Sequence, residues 1–175
     1  MKTVVYIDLD GVMVDLYRAL KEKLNFEFPH DRSTENRDVV DAMWNDIATH
    51  HPTFWIDLPA TEYKDQLFSK ILELDASPYV LSATPSPYET YRHQHCALQK
   101  IEWVCRNLSP DFRFRTLITK SKLKQTFISC EPAADRKILV DDHPGNIARW
   151  ITAGGIGVHH TNIEKTLKEL DALKL

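Results

Sequence analysis

No stretch of this 175-residue chain approaches the ~18 uninterrupted apolar residues that a membrane-spanning helix needs. Asp8 and Asp10 fall where an export signal would carry its apolar stretch, so the sequence predicts a soluble, cytoplasmic protein without a membrane partner. The chain also lacks a block of like charge. Its 22 Lys and Arg stand against 25 Asp and Glu, both signs scattered, for a net charge of −3. Long nucleic acids need a basic stripe to neutralise their phosphates and are excluded, whereas a small anionic substrate needs only a few local cations. Cysteine is scarce: Cys96, Cys105 and Cys130 are odd in number and lack the close pairing of a zinc site, which predicts free thiols in a reducing compartment. The histidines, among them His50-His51, His93-x-His95 and His159-His160, form no multi-ligand frame either, and surface or packing roles are expected of them. His143 is placed at the rim of a site rather than in its chemistry. There is no internal repeat and no low-complexity tract.

With 43% hydrophobic and 27% charged residues, the composition suits one well-buried core with room for a small insertion. Five segments read as short buried strands: 3–7, 79–81, 116–118, 138–140 and 156–158. Helical stretches alternate with them. Over 62–74, Tyr63, Leu67, Ile71 and Leu74 share a face, and 88–108 shows a looser version of that pattern. Asn146 is expected to cap a helix over 147–153 that Gly154 and Gly155 end, and Thr161 or Asn162 to cap a last helix. Such alternation predicts a mostly parallel sheet covered on both faces. From Leu16 to Leu58 the rhythm breaks. Helical patterns at 16–24 and 39–50 flank a polar loop with Pro29, Asp31, Ser33, Glu35 and Asn36, which reads as a small helical cap.

Two runs of β-branched and apolar residues end in paired acids. Thr3-Val4-Val5-Tyr6-Ile7 leads into Asp8-Leu9-Asp10-Gly11, and Ile138-Leu139-Val140 leads into Asp141-Asp142. Ligands of parallel α/β sheets collect at the carboxyl ends of strands, where both pairs sit. Asp8 and Asp10, two residues apart, point the same way in extended geometry, and Gly11 allows a sharp departure. Alone, Asp-x-Asp-Gly also fits a turn or a calcium loop; the preceding strand and the second acid pair favour a catalytic site. Four gathered carboxylates need a cation, and Mg²⁺ favours such hard oxygen ligands.

The order of these features resembles the haloacid dehalogenase-like phosphatases. The match runs from Asp8-Leu9-Asp10-Gly11-Val12 through a strand ending in Ser or Thr, then a Lys, then hydrophobic-Asp-Asp. Within that superfamily the chain is similar to the 5'(3')-deoxyribonucleotidases, on Phe54-Trp55-Ile56-Asp57-Leu58-Pro59, Leu81-Ser82-Ala83-Thr84-Pro85, His95 to Val104, and Leu117 to Lys122. The resemblance implies an α/β fold, a Rossmann-like three-layer parallel sheet with a helical cap inserted after the first strand: core 1–15 and 63–175, cap 16–62. It implies a phosphomonoesterase in which Asp8 is the nucleophile and Asp10 the general acid and base. Mg²⁺ would bind Asp8, Asp10 through its carbonyl, and Asp141, with Asp142 acting through water. Ser82 is favoured over Thr84 as the hydroxyl on the phosphate, and Lys122 over Lys120 and Lys124 as the compensating cation.

Asp15 is expected to act at the start of the first cap helix, and Asn146 to brace the acid loop. Substrate choice is assigned to the cap, where Phe54 and Trp55, with Trp44 and Phe26 or Phe28, could stack a nucleobase or simply form the cap's core. A deoxyribonucleoside monophosphate is the expected substrate; a sugar phosphate, or a receiver-like phospho-acceptor module, are the alternatives. A homodimer is compatible with the sequence.

Overall fold

The run Thr3-Val4-Val5-Tyr6-Ile7 forms the middle strand of the sheet, and its alternation decides which side each residue covers. Val5 and Ile7 enter one apolar cluster, while Val4 and Tyr6 enter a second one with Leu81, Leu139 and Trp150 on the opposite face. The computed structural model describes residues 2–29, 34–75, 77–85 and 91–174. The strands are β1 (Thr3–Ile7), β2 (Tyr79–Ala83), β3 (Thr116–Thr119), β4 (Arg136–Asp141) and β5 (Ile156–His159). They lie in the order β3-β2-β1-β4-β5, all parallel. All five expected strands are present, four of them one to three residues longer than the sequence indicated.

The helices are α1 (Leu16–Leu24), α2 (Thr34–His50), α3 (Lys64–Leu72), α4 (Tyr91–Asn107), α5 (Pro144–Thr152) and α6 (Ile163–Ala172). The start expected for α4 at Tyr88, and the loop residues Asp31 and Ser33, lie outside the described residues. Asp15 caps α1, its carboxylate accepting from Arg18 N at 3.1 Å, and Asn162 caps α6 through Lys165 N at 2.9 Å. One cap differs from expectation. His143, not Asn146, caps α5, because Pro144 begins the helix and Gly145 N donates to His143 Nδ1 at 3.0 Å. Asn146 therefore lies inside the first turn, with its carboxamide free to face the acids. Gly154 at φ +94° ends the helix as expected.

The chain between β1 and α3 is the insertion, and its two ends are tied together. Val14 bridges Ala60, Asp15 N donates to Pro59 O at 2.9 Å, and Thr61 N donates to Met13 O at 3.0 Å. A division into core 1–15 with 63–175 and cap 16–62 is a proposal that fits this closure. The insertion shares its hydrophobic cluster with the sheet, since Met43, Ile47, Phe54 and Leu58 pack in one body with Val5, Ile7 and Leu67.

Between β1 and the insertion the backbone coils tightly: Val12, Met13 and Val14 all direct their N–H groups to Leu9 O at 2.9 to 3.1 Å. Gly11 makes this coil possible at φ +76°, and a side chain there would drive into the Asp142 carboxylate. Replacing Gly11 by Ala is accordingly expected to cost at least ~1 kcal/mol through backbone strain alone. Urea denaturation reads that loss, and the collision with Asp142 should weaken divalent-cation binding in the same variant.

Candidate functional site

The order β3-β2-β1-β4-β5 reverses direction beside β1, so the carboxyl ends of β1 and β4 face the crevice where open α/β sheets hold ligands. Ile7 is in register with Val140, and Asp8 N donates to Val140 O at 2.9 Å. Pairing thus sets Asp8 beside Asp141 at the top of two neighbouring strands. Both are buried, and one cation lies between them: Lys124 Nζ is 2.8 Å from Asp8 Oδ2 and 2.7 Å from Asp141 Oδ2.

Lys124 comes from a 3₁₀ segment, Ser121–Cys130, that follows β3, and is only 1% exposed. This corrects the expectation of Lys122. Lys122 is exposed, and in a winding close to three residues per turn the two lysines cannot share a direction. Lys120 is exposed too. Burial works against the Lys124 ammonium, yet Asp8 and Asp141 outweigh it and hold its pKa above the ordinary lysine value.

Asn146 Nδ2 donates to both oxygens of Asp141 at 3.0 and 3.1 Å, and His143 N donates to Asp141 Oδ1 at 2.9 Å. Asn146 Oδ1 in turn accepts from Ser121 and Arg149. The bracing expected of Asn146 is therefore present, from within the helix. Asp142 faces the others across the coil at Gly11. Its carboxyl is pushed up to about 8, by burial first and then by the charges of Asp8, Asp141 and Asp10.

Asp8, Asp141 and Asp142 each offer an oxygen, all within 4.8 Å of one another. Three hard oxygen donors with excess negative charge fit a divalent cation such as Mg²⁺. Asp10 is expected to meet the metal through its backbone carbonyl, and its carboxylate is engaged separately, paired with Lys100. Any contact of Asp10 with a cation falls to its backbone carbonyl.

The hydroxyls also part company. Ser82 is fully buried and accepts from Lys100 Nζ at 3.1 Å. Thr84 lines a cavity of about 230 Å³ with Asp8, Asp10, Lys124 and Asp142. Its Oγ1 is buried without a hydrogen-bond partner among the described residues. The preference for Ser82 meets a contrary geometry: of the two, Thr84 lines the cavity, and Ser82 is taken up by Lys100.

The aromatic expectation divides in the same way. Trp55 and Trp44 line the cavity, stacked on each other with ring centroids 5.5 Å apart. Phe54 does not line it; this ring packs edge-on against Trp55 within the core. Phe28 is one layer further out, against Trp44.

Sequence reasoning missed two residues. Tyr17 lines the cavity and donates from its hydroxyl to Asp142 Oδ2 at 3.3 Å. Lys100 lies within the segment from His95 to Val104 that carries the resemblance, and it is as buried as Lys124. A sequence signal did exist: Lys100 shares a helical face with the buried Cys96, Trp103 and Val104, where an unpaired lysine would not be tolerated.

No protein-family model matches the chain. A hydrolase from Streptococcus pneumoniae TIGR4 superposes with a TM-score of 0.61 at 14% identity, covering 98% of this chain and 100% of that one. A HAD family hydrolase from Deinococcus radiodurans R1, solved with bound phosphate and sodium, gives 0.53 at 13% identity over 95% and 87%. The chain has the haloacid dehalogenase-like fold. By sequence it is 24% identical over 156 residues to a Bordetella pertussis protein provisionally named a 5'(3')-deoxyribonucleotidase, covering 80% of this chain and 74% of that one. Among the described residues, no helix is long and apolar enough to cross a membrane.

The acid cluster sets a stability test. Because the folded pKa of Asp142 lies above its ordinary 3.8, the metal-free fold should lose stability as pH rises from about 4 through about 8, the unfolded chain ionising first. Mg²⁺ at ~100 times its Kd adds about 2.7 kcal/mol, or roughly 5–10 °C in Tm for a domain of this size. Thermal melts with and without Mg²⁺ should show the larger shift above pH 8, and a smaller one near pH 6, where the cation must displace a proton.

Proposed function

We propose that this protein is a Mg²⁺-dependent phosphomonoesterase that works through an aspartyl-phosphate intermediate on Asp8 and takes a deoxyribonucleoside monophosphate as substrate. One observation carries the reading. A buried carboxylate at a strand end, Asp8, is held by a buried lysine and opens onto a cavity with a second carboxylate, Asp10, and an unpartnered hydroxyl, Thr84.

Asp8 keeps one oxygen, Oδ1, against Leu9 N at 2.8 Å, and its Oδ2 against Lys124. A carboxylate fixed at both oxygens presents its lone pairs in one direction, which suits in-line attack on phosphorus. Lys124 has three N–H donors, and Asp8 and Asp141 take two. The third offsets charge on the phosphoryl oxygens as the transition state spreads it. The Thr84 hydroxyl supplies another donor to the same group. Asp10 gives a proton to the departing oxygen as the P–O bond breaks, then takes one from the water that opens the aspartyl phosphate. Asp8, Asp141 and Asp142 would hold Mg²⁺, whose charge would let the anionic Asp8 meet an anionic ester and would offset the charge that develops there.

The substrate assignment rests on the aromatic wall. Tyr17, Trp44 and Trp55 line the cavity on the side of the insertion, and the similarity to the Bordetella pertussis protein supports a nucleotide there. A nucleobase meets flat apolar surface on these rings, which a sugar phosphate would leave uncovered.

Asp8→Asn should abolish phosphate release from every ester while leaving far-UV circular dichroism unchanged; retained activity would sink the mechanism. Lys124→Met should lower kcat by ~100-fold or more, as loss of one charge-stabilising donor does elsewhere. Lys122→Met, at an exposed position, should leave steady-state rates within twofold of wild type. A screen of monophosphates tests the substrate. The expected result is a kcat/KM higher for deoxyribonucleotides than for sugar phosphates, with Trp55→Ala and Trp44→Ala removing most of the difference.

A further inference from the structure

Lys100 reaches the site from α4, and its surroundings define what it can do. Its ammonium contacts Asp10 Oδ2, Ser82 Oγ at 3.1 Å and Ala83 O at 2.6 Å. A lysine has three N–H donors, so all three are engaged. At 1% exposed it has no open side toward the cavity, whose lining omits it. Lys100 is therefore unsuited to hold substrate phosphate, in contrast to Lys124. What it does hold is one oxygen of Asp10. The other, Oδ1, is buried and has no hydrogen-bond partner among the described residues. The Lys100 ammonium also lies 4.9 Å from the centre of the Trp55 ring.

We propose that Lys100 is a positioning residue that fixes the Asp10 carboxyl by its Oδ2, so that Oδ1 alone exchanges protons with the reacting groups. This rests on the phosphomonoesterase reading above. In the first step the Asp8 oxygen bonds to phosphorus, the bond from phosphorus to the ester oxygen breaks, and the proton on Asp10 Oδ1 moves to that oxygen to release the alcohol. In the second, a water oxygen bonds to phosphorus, the aspartyl-phosphate bond breaks to restore the Asp8 carboxylate, and Oδ1 takes the water's proton. The sum is ester plus water giving alcohol plus inorganic phosphate, with Asp10 returned to its starting form. Without Lys100 the Asp10 carboxyl can rotate, and either oxygen or neither faces the leaving group.

The leaving group distinguishes this role from a merely structural one. An alkoxide must be protonated to depart, whereas 4-nitrophenolate leaves without a proton. Lys100→Met and wild type are to be compared on a deoxyribonucleoside 5'-monophosphate and on 4-nitrophenyl phosphate, with Mg²⁺, following the first turnover by rapid mixing. The nucleotide rate is expected to fall by ~100-fold or more, the lower range for losing general acid catalysis, with KM changed little. The 4-nitrophenol burst should fall less than about fivefold, followed by slow turnover as the aspartyl phosphate waits for its base. Because the ratio of the two rates is taken within one preparation, it does not depend on the fraction folded. Should Lys100→Met fail to fold by circular dichroism, Lys100→Leu, which likewise removes the donors, carries the same comparison, and the same skewed ratio is expected. An equal fall on both esters, or no fall, overturns the positioning role and leaves the phosphatase reading standing. Wild-type protein that releases phosphate from neither ester overturns both.

Discussion

Two carboxylates at adjacent parallel strand ends cannot both be buried unless a cation lies between them, and Lys124 is that cation. The register of β1 on β4 brings Asp8 and Asp141 together regardless of their charge. Removing an ionised carboxylate from water costs several kcal/mol even after relaxation, and two side by side add mutual repulsion. The Lys124 ammonium answers both at once at 2.7 and 2.8 Å. Much of the neighbouring structure completes this arrangement. Asn146 and His143 N satisfy the remaining acceptor capacity of Asp141, and α5 starts at Pro144 so that they can. A buried ion pair of this kind adds little net stability compared with apolar packing, so its value lies in orientation.

The charge remains unbalanced by design. Two lysines face four carboxylates, and the Asp142 carboxyl, pushed up first by burial, is raised further by the neighbouring acids. A divalent cation would remove that excess, and an anionic ester would then enter a neutral cavity rather than a negative one. Thus one electrostatic constraint, created by strand pairing, accounts both for the buried lysine and for an acid cluster that a divalent cation fits.

How much of this could be read from sequence follows from how local each signal is. The acid pairs were legible because a strand and the residues just past it are contiguous. The same is true of the Asp15 cap and of a last cap at Thr161 or Asn162, which falls to Asn162. The choice among Lys120, Lys122 and Lys124 was not legible, because it depends on the winding of a 3₁₀ segment that no periodicity announced. Ser82 and Thr84 point to one side of the same extended run, and only the arrival of Lys100 from α4 separates a filled hydroxyl from an open one. Phe54 and Trp55 are neighbours of like chemistry; which one faces the cavity is set by packing against Trp44. The cap of α5 was misplaced by three residues, although Pro144 at the first helical position was the better signal.

The two buried lysines show why α4 matters as much as the sheet. Its inner face presents Gln99, Lys100 and Trp103 in one turn. Gln99 donates to Pro52 O at 2.7 Å and accepts from Trp55 N at 3.2 Å, and Trp103 Nε1 donates to Leu58 O at 2.8 Å. These bonds fix the returning arm of the insertion, which carries Trp55 into the cavity. Lys100, between them, fixes Asp10 and the end of β2. A compact ammonium with three rotatable donors suits the Asp10 carboxylate on one side and the Ser82 hydroxyl and Ala83 carbonyl at the end of β2 on the other, whereas a guanidinium holds its donors in one plane. One helical turn therefore sets both the aromatic wall and the Asp10 carboxylate, so the insertion cannot shift over the cavity without disturbing that carboxylate. On the proposed mechanism, selection of the substrate and the proton transfer that follows would in this way be tied to a single piece of backbone.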